Sequence, residues 1–257
     1  MKLTKDALNL DLPTTATRIK RFIKDYLKKT KTKGIVIGIS GGIDSSTVSA
    51  LAALAIGGHK VTALNMPEEE THSKTDIQHA KKVAEKFRFK IETIDITSIL
   101  EAYYKSIPIY DPQDKLSKGN LKARTRMLCL YYYANHQGKI VCGSSDKSET
   151  MMGYFTKWGD VAADISPLMD FYKTQVRQLA EEELGIQYET LDLILLGLEN
   201  FMSPEEIADQ LKLPSKLVRD IRSRWLAREH KRRPPLTLKQ EYRTIGTDFR
   251  LPYTPAH

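Results

Sequence analysis

Gly38-Ile39-Ser40-Gly41-Gly42-Ile43-Asp44-Ser45-Ser46 is the stretch on which the fold turns. The β-branched run Ile35-Val36-Ile37 leads into it, and an Ala- and Leu-rich segment follows to Ile56. Strand, glycine-rich turn and helix, in that order, form an anion cradle. Glycine lets the backbone approach a phosphate, and the unpaired N–H groups of a helix start point at it. A Walker A loop carries Lys before its Ser/Thr; here Asp44 precedes Ser45. A carboxylate beside phosphates repels them unless a cation lies between, so Asp44 implies a bridging magnesium ion. An ordinary turn followed by an Asp helix cap would explain a lone glycine pair. It does not explain the full hydroxyl-Gly-Gly-x-Asp-hydroxyl-hydroxyl string directly behind a buried strand.

On both sides of this string, apolar runs alternate with amphipathic segments. Strands are predicted over 34–39, 60–66, 90–96 and 139–143, and helices over about 45–56, 71–87 and 120–136. The alternation predicts an α/β fold: a doubly wound parallel sheet with helices on both faces. The last third reads as a helical C-terminal part, with helices over 172–184, 188–199 and about 215–228. Ser203-Pro204-Glu205-Glu206 starts another, with a capping Ser and Pro at the first turn. The tail from Leu236 reads as extended. The expectation is a single domain over 1–257. Ligands of such sheets bind at the carboxyl ends of the strands. The cradle, Met66-Pro67 and Gly143-Ser144-Ser145 all fall there.

Composition narrows the class. The chain has 257 residues, 41% of them hydrophobic, enough for one well-buried core. No stretch approaches the roughly 18 apolar residues of a membrane span, and 1–13 lacks a signal-peptide core. Two cysteines, Cys129 and Cys142, make no disulfide framework. The expected location is the cytoplasm, with no membrane partner. A net charge of +8 suits nucleic acid or any polyphosphate. The run Lys28–Lys33 reads as a solvated helix end.

Four further motifs bear on the second substrate. Arg124, in Gly119-Asn120-Leu121-Lys122-Ala123-Arg124, is expected in the first turn of a helix, where a cation opposes the dipole. That placement suggests an anion-holding role, with an exposed salt bridge as the plain alternative. Glu149, in Gly143-Ser144-Ser145-Asp146-Lys147-Ser148-Glu149, can supply a second oxygen to magnesium; the plain alternative is a first-turn helix Glu. Tyr154-Phe155-Thr156-Lys157-Trp158-Gly159-Asp160 sets a cation and a carboxylate between aromatics, which suits a stacked, charged ligand. Core packing accounts equally well for Phe155. His230-Lys231-Arg232-Arg233 ends a long helix, where cations are favoured in any protein.

The cradle resembles the signature of the ATP pyrophosphatases, which split ATP to AMP and pyrophosphate. Taken with the motifs above, Asp164, Ser166-Pro167-Leu168 with Lys173, Leu184–Asp192 and Glu229–Arg232, the chain resembles ammonia-dependent NAD synthetases lacking a glutaminase domain. The resemblance implies an ATP site of Gly38, Ile39, Ser40, Gly41, Gly42, Ile43, Asp44, Ser45, Ser144 and Lys173, with Mg2+ on Asp44 and Glu149. It implies that Arg124, Lys157, Asp164, His230 and Lys231 hold deamido-NAD, to which Phe155 is added as a stacking ring. Lys173 is the expected stabiliser of phosphate charge, and Asp160 the candidate for binding and deprotonating ammonium. The family works as a homodimer, and the consecutive Tyr131, Tyr132 and Tyr133 point around most of a helix, so a partner subunit would cover the surplus face. The resemblance also implies a longer stretch at Glu181-Glu182-Glu183, carrying another ATP-binding hydroxyl and covering the nicotinate end. Either this chain lacks such a lid or the natural protein carries it; the second is the expectation, because loss of a lid would expose an adenylate to water. The rival readings are a tRNA-modifying ATP pyrophosphatase and a non-catalytic nucleotide sensor. The absence of paired catalytic or zinc-type cysteines weighs against the first, which would bring nucleic acid as partner. Retention of Asp44 and Glu149 weighs against the second.

Overall fold

In the computed structural model, which describes residues 2–69, 74–180 and 189–234, four parallel strands form one sheet. These are β1 (Ile35–Gly38), β2 (Val61–Asn65), β3 (Lys90–Thr93) and β4 (Ile140–Val141), in the order β3-β2-β1-β4. Ile35 pairs with Val61 and with Ile140, and Thr62 with Lys90. Helices α1 (Leu12–Thr30), α2 (Ile43–Ile56), α3 (Lys74–Phe87), α4 (Thr97–Ser106) and α5 (Lys115–Gln137) surround the sheet. After them come α6 (Lys147–Met152), α7 (Lys173–Ala180), α8 (Glu189–Glu199), α9 (Pro204–Leu211), α10 (Ser215–Ala227) and α11 (Glu229–Arg232).

The period-2 alternation of a strand explains the two layers. Ile35 and Ile37 of β1 pack with Ile23 of α1, Val48 of α2, Ala80 of α3 and Val176 of α7. Val36, between them, points the other way and packs with Leu100 of α4 and Ala134 of α5. Both faces of β1 and β2 are therefore covered, which is why Ile35-Val36-Ile37 reads as an unbroken apolar run and why Thr62 and Asn65 of β2 are buried. A third core joins Leu3 and Leu8 to Ile194 and Leu195 of α8, Ile207 of α9 and Val218 of α10. The N-terminal segment thus closes the helical C-terminal part. Among the described residues, no helix is long and apolar enough to cross a membrane.

The expected architecture is present, with corrections in detail. The strands are shorter than the apolar runs: β3 stops at Thr93, and the Asp95 carboxylate accepts the Thr97 N–H at 2.9 Å to start α4, a helix the alternation of 90–96 concealed. Helix α5 begins at Lys115 rather than Asn120, because Asp114 caps it by accepting the Ser117 N–H at 2.9 Å. Arg124 therefore lies in the third turn, and the argument from its opposition to the helix dipole falls. Cys142 extends β4 by a single parallel bridge to Ile165. The expected helix ends at Leu184 and Tyr188, the start at Thr71 and the extended tail lie outside the described residues.

Candidate active site

The turn after β1 has one conformational requirement. Gly41 has φ +88°, and a Cβ there would stand 2.1 Å from the Asp76 carbonyl oxygen, so neither the backbone angle nor the space admits a side chain. The Ser45 hydroxyl closes the loop, donating to the Gly42 carbonyl at 3.1 Å and accepting the Ser40 N–H at 3.3 Å. Asn65 Nδ2 donates to the Ile39 carbonyl at 2.8 Å and ties the loop to the end of β2. Gly42 opens α2 without a side-chain cap, leaving the first N–H groups of the helix to an outside acceptor. The loop borders a cavity of about 860 Å³ over the carboxyl ends of β1, β2 and β4. Gly38, Ile39, Ser40 and Ser45 line it, with Asn65–Pro67 and Cys142–Ser144. The three predicted loops do converge.

Beside the loop lies a cluster of four charged groups. The Lys173 ammonium, at the start of α7, stands 2.8 Å from Asp44 Oδ2, 2.6 Å from Asp146 Oδ2 and 2.9 Å from Glu149 Oε1. Oxygens of the three carboxylates lie within 4.8 Å of one another. Asp146 is wholly buried and caps α6 by accepting the Glu149 N–H at 2.8 Å. Burial and then the Glu149 charge push the Asp146 carboxyl up to about 6. Burial opposes the Lys173 charge, but hydrogen bonds to Asp146 and Asp44 outweigh it and hold the ammonium above its ordinary range. Three carboxylates face one ammonium, and Asp44 Oδ1 is buried with no hydrogen-bond partner. Hard oxygens with an unused acceptor are the donor set of a small divalent cation, so these residues fit Mg2+. Asp146 was missed in the sequence because it reads as an ordinary cap; its Asp-x-x-Glu spacing onto Glu149 was the available signal.

The other expected residues divide between the cavity and its surroundings. Phe155, Asp160 and Lys231 line the cavity. The Lys231 ammonium donates to the Gly153 and Phe155 carbonyls at 2.9 and 2.7 Å and sits 5.4 Å from the Phe155 ring centre. Phe155 is buried, so core packing and the cavity wall both claim it. Asp160 is exposed and accepts the Thr156 N–H at 2.7 Å. Arg124, Lys157 and His230 are off the wall but adjoin one another: Arg124 donates to the Lys157 carbonyl at 3.3 Å, and Lys157 to the His230 carbonyl at 3.1 Å. Asp164 lies apart, accepting the Val141 N–H at 2.7 Å beside Tyr131. Burial, with the nearby Asp164 carboxylate, pushes the Tyr131 hydroxyl up to about 12.

One guanidinium that the motifs passed over is in the cavity. Arg126 lines it on the stripe Gly119, Asn120, Ala123, Arg126, Met127 and Leu130, the spacing of one helix face. Its Nε donates to the Met66 carbonyl at 3.0 Å. Burial lowers its pKa, while the Glu68 and Asp160 charges oppose the shift. The i, i+3, i+4 spacing that sets Arg126 on one face with Ala123, Met127 and Leu130 was the available signal. Below it, Glu68 and Lys122 form a buried ion pair at 2.9 Å.

Comparison with known proteins places this geometry. The family model for NAD synthase matches residues 15–182 and 180–235. The NH(3)-dependent NAD(+) synthetase of Hyperthermus butylicus is 39% identical, over 91% of this chain and 94% of its own length. That of Methanocaldococcus jannaschii is 40% identical, over 86% and 94%. Among solved structures, the NH3-dependent NAD synthetase of Campylobacter jejuni superposes with a TM-score of 0.81 at 29% identity, covering 90% of this chain and 100% of that one. The NMN synthetase of Francisella tularensis gives 0.73 at 30% identity, over 90% and 99%. The Hyperthermus alignment spans 261 positions but takes in 91% of the 257 residues, so about 27 of its positions face gaps in this chain. The family match itself breaks at 180–182, where the sequence departs from the family pattern. The chain belongs to the NAD synthase family.

Proposed function

We propose that this chain is a ligase converting deamido-NAD, ATP and ammonia to NAD, AMP and pyrophosphate, the last step of NAD biosynthesis. The observation that carries the reading is the meeting of the Gly41 loop, three carboxylates and Lys173 at the strand ends, in a chain of this family. The tRNA-modifying alternative is not favoured: the curated relatives at 35–40% identity are NH(3)-dependent NAD(+) synthetases.

The residues divide the work as follows. Gly38, Ile39, Ser40, Gly41, Gly42, Ile43, Asp44 and Ser45, with Ser144, cradle the ATP phosphates through backbone N–H groups and hydroxyls. Asp44, Glu149 and the newly placed Asp146 hold Mg2+, which neutralises phosphate charge when bound. Lys173 draws the same charge as pyrophosphate leaves. The nicotinate carboxylate attacks the α-phosphorus, expelling pyrophosphate and leaving a mixed anhydride. Ammonia then adds to the carbonyl carbon and expels AMP. Asp160, exposed on the cavity wall, binds ammonium and takes its surplus proton. Arg126 and Lys231 face the dinucleotide across the cavity, with Phe155 under it. Arg124, Lys157 and His230 extend the site outward, and Asp164 is the fifth residue that the family resemblance assigns to deamido-NAD. Residues 1–257 act as one NAD synthetase domain in a cytoplasmic homodimer, for which Tyr132, 71% exposed on α5, marks one contact face.

Incubation with ATP, Mg2+, ammonium and deamido-NAD tests the reading. NAD and AMP should appear in equal amounts, and glutamine should not replace ammonium. Release of ADP, or AMP without NAD, would refute it. A sedimentation mass near 29.3 kDa at micromolar concentration would refute the dimer.

A further inference from the structure

The charged cluster is placed by the backbones that carry it. Lys173 opens α7, and Glu149 stands in the first turn of α6. Asp192 of α8 lies against both helices and is 1% exposed. Its Oδ1 accepts the Ser148 hydroxyl at 2.5 Å. Its Oδ2 accepts the Thr174 N–H at 2.7 Å and the Thr174 hydroxyl at 2.6 Å. Ser148 Oγ in turn accepts the Lys173 N–H at 2.9 Å. One carboxylate thus holds two successive N–H groups at the start of α7, one directly and one through Ser148. Ser148 is the residue before Glu149 on α6.

We propose that Asp192 is a positioning residue for the reaction: it locks α6 to α7 so that Lys173 and Glu149 meet at the phosphates. The inference rests on the ligase reading above. Its chemistry is that of second-layer groups in other sites, which orient the groups that touch the ligand. The competing role is a plain tie between helices. A negative group at a helix start is stabilising in any protein, so a loss of stability alone does not separate the two. Rate does. A misplacement of about 1 Å at reacting groups can cost about a hundredfold in turnover, whereas a loosened tie lowers the melting temperature and leaves the rate of folded enzyme alone.

Three variants of the full chain decide. Asp192→Asn keeps the shape, but its amide nitrogen cannot accept, so Ser148 or Thr174 loses its partner. The kcat for NAD formation should fall about ten- to a hundredfold, with KM for deamido-NAD within about twofold. Ser148→Ala keeps Asp192 and removes its link to the Lys173 N–H, and should show the same split at smaller size. Ser203→Ala is the matched control: Ser203 caps α9 by accepting the Glu206 N–H at 3.2 Å, on a helix start that carries neither Lys173 nor Glu149. It should lower Tm without lowering kcat. Wild-type kcat in folded Asp192→Asn overturns the inference. Where that variant does not fold, wild-type kcat in Ser148→Ala overturns it. If the wild-type chain makes no NAD, the ligase reading fails on its own. Calorimetry of Mg–ATP binding to the same variants then decides, and unchanged affinity overturns the positioning role.

Discussion

The two ends of α6 carry dense charge, and they use it differently. Around Lys173 the charges face one another: three carboxylates surround one ammonium, and one oxygen of Asp44 is left without a partner. Around α11 the charges face the backbone. Arg232 donates to the Thr150, Met151 and Trp225 carbonyls at 3.2, 2.8 and 2.7 Å, and Lys231 to those of Gly153 and Phe155. Both ends read in the sequence as charged residues near a helix terminus. The partner, not the charge, separates the cluster proposed to receive an ion from the one that fastens the chain.

The comparison breaks first at Asp44. If the acid end serves Mg–ATP, Asp44→Ala removes a ligand of the cation whose neutralisation of phosphate charge is worth several kcal/mol. Pyrophosphate release should then fall more than about a hundredfold. Wild-type turnover there would make the cluster a structural salt bridge.

Lys231→Ala probes the other end. It should raise KM for deamido-NAD about ten- to a hundredfold, the loss of one charged hydrogen bond, and move KM for ATP little. Because Lys231 also holds two carbonyls, its variant should lose some thermal stability as well. Arg232→Ala comes next. This guanidinium caps the carboxyl end of α6, so its removal should cost about 1.5–3 kcal/mol in a denaturant titration, with kinetic constants largely kept. Among the described residues, Arg233 pairs only with Glu229, at 2.8 Å on the surface. Arg233→Ala should change stability by no more than about 0.5 kcal/mol and neither KM. Equal behaviour of the Lys231 and Arg233 variants would reduce the basic end to a solvated helix terminus.

What the sequence revealed follows the same division. The sheet was legible because β1 is buried on both faces, which leaves an unbroken apolar run that no surface element imitates. The glycine loop was legible because a left-handed residue against the Asp76 carbonyl leaves no alternative to Gly41. Helix α4 was not, since Ile94 and Ile96 continue the alternation of β3 while Asp95 ends it. Arg126 and Asp146 were hidden for related reasons. Which face of α5 meets the cavity depends on how the helix packs against the sheet, and whether a capping Asp meets a lysine from 27 residues away depends on the packing of α7 against α6. Asp192 is further still: its partners on α6 and α7 give no local pattern at all.

Lys173 has a consequence for handling the protein. Small proteins that gather carboxylates or thiolates around an ion often unfold when a chelator takes it. Here the chain brings its own counter-ion to Asp44, Asp146 and Glu149, in the form of a side chain that cannot diffuse away. Metal-stripped preparations should therefore stay folded and regain activity on simple addition of the salt. The same ammonium is also a built-in competitor. Every arriving cation must share its three carboxylates with a lysine, which sets a threshold concentration below which the site stays closed to business.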